Sequence, residues 1–186
     1  MAVKPAVFID KDGTLVHDVP YNVEPERLRL RADAGTALRA LQDAGYALIL
    51  VTNQSGVALG RFPESALPPL WHAISKRLEP EGVALTAVYY CPHHPSGAGQ
   101  YAQHCDCRKP QAGLLRRAAS AHDIDLARSW MIGDILDDIE AGHRAGCRAV
   151  LLDVQSETEW QLTPLRTPDY VAPDLTSASR HIAGRA

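Results

Sequence analysis

Short apolar runs alternate with helix-like stretches along most of this chain. The runs lie at 6–9, 47–51, 87–90, 130–132 and 148–152, and helical spacing occupies about 34–44, 63–78, 113–122 and 135–145. In the first helical stretch Leu38 and Leu41 share a face, as do Ala37 and Ala44, and Gly45 offers a stop. Pro63 suits a first helical position in the second. Strands alternating with helices predict an α/β architecture, a Rossmann-like parallel sheet covered on both faces. Such folds bind ligands at the carboxyl ends of their strands. From about Gln155 the chain is richer in Ser, Thr and Pro, and Asp169-Tyr170-Val171 before Pro173 predicts a last strand, with a helix packing at the edge.

The spacing of these elements leaves no room for a large cap domain, since only about twenty residues separate Thr14 from Ala34. Access to the carboxyl ends then falls to three short stretches, 17–31, 54–63 and 91–107. The chain of 186 residues, 46% hydrophobic, fits one domain spanning 1–186. A formal charge of −3 and a pI near 6.2 give no basic footprint, which argues against nucleic acid as a partner. No apolar run approaches the ~18 residues of a membrane span and the start lacks a long apolar segment, so a cytoplasmic location without membrane contact is expected. No apolar stripe demands a second copy, so a monomer is the default.

Chemistry concentrates where the apolar runs end. Asp10-Lys11-Asp12-Gly13-Thr14 follows the first run, and side chains of period two send Asp10 and Asp12 to the same side. Like charges so close repel unless a cation sits between them. Gly13 permits a sharp turn and Thr14 can cap the next element. The arrangement suits a Mg²⁺ site in which one Asp attacks phosphorus and the other handles the proton. Thr52-Asn53-Gln54-Ser55 closes the second run with groups that can donate to phosphate oxygens. Arg108-Lys109-Pro110 offers two cations, with Pro110 and Gly113 marking a helix entry. Gly133-Asp134 ends the fourth run, with Asp137 and Asp138 in the next turn, and an acid here can complete an oxygen shell around Mg²⁺.

A second constellation is sulfur-rich. Cys91-Pro92-His93-His94 is followed by Cys105-Asp106-Cys107. Three thiolates and an imidazole form a closed tetrahedral Zn²⁺ shell of the structural kind. The assignment is Cys91, His93, Cys105 and Cys107, with His94 competing and His104 a weaker candidate, because spacing does not separate neighbours. A disulfide is the other reading, disfavoured by the absence of an export signal. A zinc loop at 91–107 would replace a core that this short polar segment cannot build. It would also fix Arg108 and Lys109, which follow directly. Cys147 reads as a small buried residue.

In order, Asp-x-Asp-Gly-Thr, then Thr52, Lys109 and Gly-Asp-x-x-x-Asp, the chain resembles the haloacid dehalogenase superfamily of aspartyl-phosphate phosphatases over residues 6–153. That resemblance implies Asp10 as nucleophile, Asp12 as general acid and base, and Thr52 and Lys109 as phosphoryl-stabilising groups. It implies Mg²⁺ held by Asp10, the Asp12 backbone carbonyl and Asp134. The Cys-x-His…Cys-x-Cys-Arg-Lys-Pro signature is similar to the branch of heptose-bisphosphate and histidinol-phosphate phosphatases. The stretches 52–58, 89–95 and 105–110 match the heptose-bisphosphate 7-phosphatase family more closely. By that likeness Asp18, Tyr21, Asn53, Gln54, Ser55 and Arg108 contact the sugar bisphosphate, a small phosphorylated metabolite. His17 and Arg61 are further candidates, each equally readable as surface. The family pattern carries a lysine after the fourth-motif aspartate, where this chain has Ile135, which removes one cation from the substrate's surroundings. The expected function is Mg²⁺-dependent removal of the 7-phosphate of D-glycero-D-manno-heptose 1,7-bisphosphate. Histidinol-phosphate hydrolysis is the alternative, and a catalytically silent zinc-loop binding protein is the reading from another class.

Overall fold

The computed structural model describes residues 3–185. Six parallel strands form one sheet: β1 (Ala6–Ile9), β2 (Ala47–Asn53), β3 (Ala87–Cys91), β4 (Trp130–Gly133), β5 (Arg148–Leu152) and β6 (Tyr170–Ala172). Five α-helices connect or flank them: α1 (Ala34–Asp43), α2 (Leu67–Leu78), α3 (Gly113–His122), α4 (Leu136–Ala145) and α5 (Leu175–Ala183). The spatial order is β3-β2-β1-β4-β5-β6. The chain winds outward from β1 to β3, then returns to β4 beside β1 and winds the other way. The direction therefore reverses between β1 and β4, which opens a crevice at their carboxyl ends.

The apolar runs are buried on both sides because each face of the sheet has its own helical layer. Val7, Ile9, Leu48 and Leu50 point to one face, against Leu38, Leu41, Leu70, Ile74 and Ile182 of α1, α2 and α5. Ala6, Phe8, Ile49 and Val51 point to the other, against Leu114, Leu115, Leu136 and Ile139 of α3 and α4. Side-chain alternation along a strand thus divides one continuous apolar run between two cores.

Most boundaries match the apolar periodicity, and the exceptions have local causes. β2 runs two residues past 51 because Thr52 and Asn53 stay in register with Tyr90 and Cys91. Pro63 does not begin a helix. It is extended, at φ −73° and ψ 151°, and a single 3₁₀ turn at Glu64–Ala66 precedes α2. Ile135 also stays extended, and α4 begins one residue later. Gly45, at φ +87°, follows the end of α1 as expected. Thr14 caps no helix, because the chain turns back through a bridge between Asp12 and Val16. Residues 15–17 then pair antiparallel with 29–31, with Arg31 N–H donating to the Leu15 carbonyl and His17 N–H to that of Arg29. This short flap stands where a cap domain would insert. No helix among the described residues is long and apolar enough to cross a membrane.

Candidate active site

Asp10 leaves β1 and Asp134 leaves β4, so the topological reversal sets the two acids side by side. The Asp10 N–H donates to the Ile132 carbonyl at 2.9 Å, which ties the two strand ends together. Gly13 takes φ +79°, and a Cβ there would overlap the Asp134 carboxylate. Thr14 Oγ1 donates to Asp134 Oδ1 at 2.9 Å, so the turn after β1 orients the acid after β4. Gly133 serves close approach too, because a side chain there would strike Asp138.

Lys109 reaches into this nest from the loop ahead of α3. It is 3% exposed and ion-pairs with both Asp10 and Asp138, while its ammonium also donates to the Val51 carbonyl at 3.2 Å. Asp138 is not among the expected site residues, although its place in Gly-Asp-x-x-x-Asp is visible. One helical turn carries it back beside Asp134. Its Oδ2 also accepts from the Ile135 N–H at 3.3 Å, an N3 acid reaching back to the start of α4. The Leu136 N–H is taken by Glu157 Oε2 at 2.6 Å.

Three carboxylates around one ammonium leave excess negative charge. Carboxylate oxygens of Asp10, Asp134 and Asp138 lie within 4.8 Å of one another. Burial pushes Asp10 up to about 6 against the pull of Lys109, with Asp134 and Asp12 adding repulsion. Burial also pushes Asp138 to about 6, again against Lys109. Asp134 is raised by burial and by Asp138, while Ser156 and Thr14 work the other way. Burial alone would lower Lys109, but Asp10 and Asp138 carry it above its ordinary value. A nest of buried oxygens with surplus negative charge is the donor set a hard dication requires.

The remaining expected residues surround this nest in two adjoining clefts, except Arg108, which lines a separate cavity beside the cysteine loop with Pro95, His104 and Gln111. The first, about 320 Å³, is lined by Asp10, Asp12, Thr52, Lys109, Asp134 and Ile135 among others. The second, about 250 Å³, continues past Asp12 and Asp18 to Tyr21, Asn53, Gln54 and Ser55. Asp12 is half-buried beside Lys11, whose ammonium lies 2.6 Å from Asp12 Oδ1. That buried lysine, between the two acids in sequence, carries no signal in the motif. Gln54 Nε2 donates to Thr52 Oγ1 at 3.0 Å, which leaves the Thr52 hydroxyl hydrogen free. Burial and the Asp12 charge raise Asp18. Arg61 stacks on the Tyr21 ring at 5.4 Å and forms the rim, whereas His17 is exposed and lines neither cleft.

Four of the expected substrate contacts are already engaged: Gln54 as above, Asn53 with Lys109, and Ser55 and Arg108 with each other. Asn53 Oδ1 accepts from the Lys109 N–H at 3.0 Å, and its Nδ2 donates to the Lys109 carbonyl at 3.1 Å. Ser55 Oγ accepts from Arg108 Nη1 at 2.7 Å.

The sulfur cluster hangs from the end of β3. Sγ of Cys91 and Cys107 lie 2.9 Å apart, with Cys105 at 3.5 and 3.3 Å from them, and His93 Nδ1 lies 3.2 Å from Cys107. These separations exceed a disulfide bond and approach from below the ~3.8 Å edges of a tetrahedron about 2.3 Å in radius. His94 turns away, its Nδ1 accepting from the Ser96 N–H at 3.1 Å, and His104 is exposed. Hydrogen bonding with Cys91 holds the Cys107 thiol down to about 4, while Cys91 is pushed up. Glu64, which no motif marks, accepts from Tyr90 at 3.0 Å and from Tyr101 of this loop at 2.7 Å. Cys147 is buried as expected.

Comparison with known proteins agrees with this geometry. The HAD-hydrolase-like family model matches residues 106–178. A D-glycero-beta-D-manno-heptose-1,7-bisphosphate 7-phosphatase of Haemophilus ducreyi is 45% identical over 80% of this chain and 82% of its own length. The counterpart from Salmonella typhi is 37% identical over 87% of this chain and 91% of its own. The D,D-heptose 1,7-bisphosphate phosphatase of B. bronchiseptica, solved with magnesium and phosphate, superposes with a TM-score of 0.80. It is 28% identical and the match covers 98% of this chain and 99% of that one. Buried acids around a lysine at the reversal of a doubly wound sheet define a HAD-like phosphatase, a phosphoric monoester hydrolase. Within that class the chain belongs to the family of the heptose-1,7-bisphosphate 7-phosphatases.

Proposed function

We propose that this protein removes the 7-phosphate of D-glycero-β-D-manno-heptose 1,7-bisphosphate through an aspartyl-phosphate, the whole chain 1–186 acting as one catalytic unit. The observation that carries this reading is the Lys109 ammonium locked between Asp10 and Asp138, beside Asp134. Mg²⁺ would be held by the carboxylates of Asp10 and Asp134 and the backbone carbonyl of Asp12. When bound it supplies the positive charge that offsets repulsion between a carboxylate and a phosphate dianion.

The chain's own groups perform the rest. An Asp10 carboxylate oxygen bonds to phosphorus while the bond from phosphorus to the C7 oxygen breaks, and Asp12 gives its proton to the departing alkoxide. Asp12 then takes a proton from water, whose oxygen attacks the acyl phosphate and returns Asp10 with inorganic phosphate. Lys109 faces the equatorial oxygens, where charge accumulates, and the free Thr52 hydroxyl donates to one of them. Asp138 sets the ammonium and neither gives nor takes a proton. Asp18, Tyr21, Gln54 and Arg108 face the sugar and its second phosphate from the adjoining cleft and its rim.

The four sulfur and nitrogen atoms of Cys91, His93, Cys105 and Cys107 fit Zn²⁺ in a structural role. Their crowding without a cross-link supports that assignment. The relatives' names favour the heptose bisphosphate over histidinol phosphate, and the intact acid nest speaks against a silent scaffold. Phosphate release with Mg²⁺ tests the reading, with the two substrates at matched concentration and Asp10→Asn as control. The expected result is at least a 100-fold preference for the heptose, about 2.7 kcal/mol in transition-state binding, and no turnover by the variant. A preference for histidinol phosphate would overturn the substrate, and an active Asp10→Asn protein would overturn the mechanism.

A further inference from the structure

Arg128, Arg148 and Arg185 surround one part-open hollow of about 150 Å³, completed by Pro5, Ala44 and Tyr46; Arg128 and Arg185 are exposed and Arg148 is half-buried. It lies at the end of the sheet opposite the acids. Pro5 and Tyr46 precede β1 and β2, Arg128 closes the turn before β4, Arg148 opens β5 and Arg185 follows α5. The hollow therefore belongs to neither catalytic cleft and has no part in the reaction proposed above.

Its charge is unbalanced. Among the described residues no carboxylate lines it, and none of the three guanidinium groups pairs with an acid or donates to a carbonyl. Several other arginines are engaged, Arg39 with Asp43, Arg144 with Glu140, Arg166 with Asp137 and Glu140, and Arg77 and Arg116 with carbonyls, whereas the exposed Arg180 has no such partner among the described residues. Acids outnumber Lys and Arg in the chain, 22 to 19, so composition does not force a group of unmatched cations.

The wall of the hollow is also shaped in advance. The Arg148 guanidinium lies over the Trp130 ring at 4.1 Å, and Trp130 is fully buried, so this fork is held flat against a fixed surface. Asp169 is near enough to feel Arg148, but its Oδ2 already accepts from His143 Nε2 at 2.9 Å and the Ala149 N–H at 2.7 Å. Three like charges around one small space repel each other, and a planar fork that is fixed and unpaired matches an oxyanion with two acceptor oxygens.

We propose that this hollow is a binding site for a compact phosphate-type dianion, inorganic phosphate or pyrophosphate, remote from catalysis. Its volume admits an ion of that size and excludes a nucleotide or a bisphosphorylated sugar as a whole. The three guanidinium groups supply the donors, and Tyr46 with Pro5 closes the apolar side.

Thermal unfolding of the full chain, dialysed free of Mg²⁺, tests this with inorganic phosphate and pyrophosphate against potassium chloride at equal ionic strength. Both phosphates should raise the Tm and chloride should not. Arg128→Gln with Arg185→Gln should weaken the apparent affinity at least tenfold, while Mg²⁺-dependent phosphatase activity stays within twofold. Lysine at both positions should keep part of the affinity, since charge is retained and the fork is lost. If the double variant does not fold, Arg185→Gln alone, beyond the end of α5, is read the same way. Undiminished affinity in the glutamine variant would place the anion in the catalytic cleft and overturn the proposal. An equal rise with chloride would reduce the effect to general screening and would overturn it too. A salt-resistant complex with an oligonucleotide, and none with pyrophosphate, would replace the small ion with a nucleic acid.

Discussion

Asn53 holds Lys109 by both ends of one residue's backbone, accepting from its N–H at 3.0 Å and donating to its carbonyl at 3.1 Å. The side chain of Asn53 therefore imitates a neighbouring strand for a loop residue that has none. Lys109 needs that grip, because its ammonium is buried against two acids while its backbone lies in irregular loop. The pair also joins β2 to the loop that follows the cysteine cluster. Removing the grip should misplace the ammonium without touching the chemistry.

Asn53→Ala should lower kcat by roughly 10- to 100-fold, about 1–3 kcal/mol, with KM little changed. Asn53→Asp keeps the acceptor and loses the donor, so it should fall between the two. Steady-state kinetics with the heptose bisphosphate separates the parameters. A large rise in KM at unchanged kcat would make Asn53 a substrate contact and would return it to the role the family likeness implies.

Gly13→Ala should be more damaging than its size suggests. The residue sits at φ +79°, and a methyl group would enter the space of the Asp134 carboxylate. Backbone strain costs about 1 kcal/mol, and the clash displaces an acid that Thr14 also holds. The expected outcome is a fall of at least 100-fold in Mg²⁺-supported activity with the fold retained by circular dichroism. Activity within threefold of the parent would show that Asp134 tolerates displacement and that its placement matters less than the geometry implies.

Much of this arrangement is legible in the chain itself, and the reasons differ by element. The apolar runs are readable because each strand is buried on both faces, so no polar alternation blurs it. The acids are readable because strand ends are where a parallel sheet places its ligands. Asp138 is harder. An acid in the first turn of a helix is ordinarily a favourable dipole contact, and only the fold shows that it faces Lys109. Lys11 gives no sign of its burial, since a lysine between two aspartates usually points to water. His93 and His94 are inseparable by spacing, and the choice rests on the turn in which Ser96 N–H occupies His94. The motif marks Asn53 and Ser55 as substrate contacts, whereas their partners Lys109 and Arg108 lie more than fifty residues away.

The cysteine cluster makes a prediction about distance. Tyr101, on the loop, and Tyr90, on β3, share the two oxygens of Glu64, so the loop is fastened to the turn ahead of α2 as well as to itself. Stripping Zn²⁺ from its four proposed ligands should release the loop and, through Cys107-Arg108-Lys109, lower activity at saturating Mg²⁺ by at least tenfold. Hydrogen exchange should rise across 92–107 and not in α5, which packs on the far part of the sheet. Glu64→Gln should loosen the same segment to a smaller extent, by about 1 kcal/mol. If both stability and turnover survive complete zinc removal, the metal assignment of Cys91, His93, Cys105 and Cys107 is wrong.

The acid nest sets the pH dependence of the Mg²⁺-free protein. Burial drives Asp10 and Asp138 up to about 6, against the pull of Lys109, and Asp134 is raised in the same direction. Unfolded, these carboxyls titrate near 4. Between those values these three groups hold more protons in the folded protein than in the unfolded chain, so their contribution falls as pH rises through the window, while the lowered Cys107 thiol contributes in the opposite sense. Lys109 is shifted upward, and its stabilising contribution is fully present below its unfolded value, so it adds no slope here. Asp169 is lowered, since hydrogen bonds from His143 and Ala149 more than offset its burial, and its contribution disappears only below about pH 4. Urea unfolding without Mg²⁺ should therefore show the Asp138→Asn protein gaining on the parent as pH rises from 5 to 7.5, by on the order of 1 kcal/mol, a comparison in which the lowered Cys107 and His181, common to both proteins, cancel. Millimolar Mg²⁺ favours the ionised carboxylates, so it should flatten this slope and raise stability most at the higher pH. Asp138→Asn removes one titrating acid and should reduce the slope even without metal. A pH slope that Asp138→Asn leaves unchanged would mean Asp138 ionises as it does in water, and the charge excess assigned to the nest would not exist.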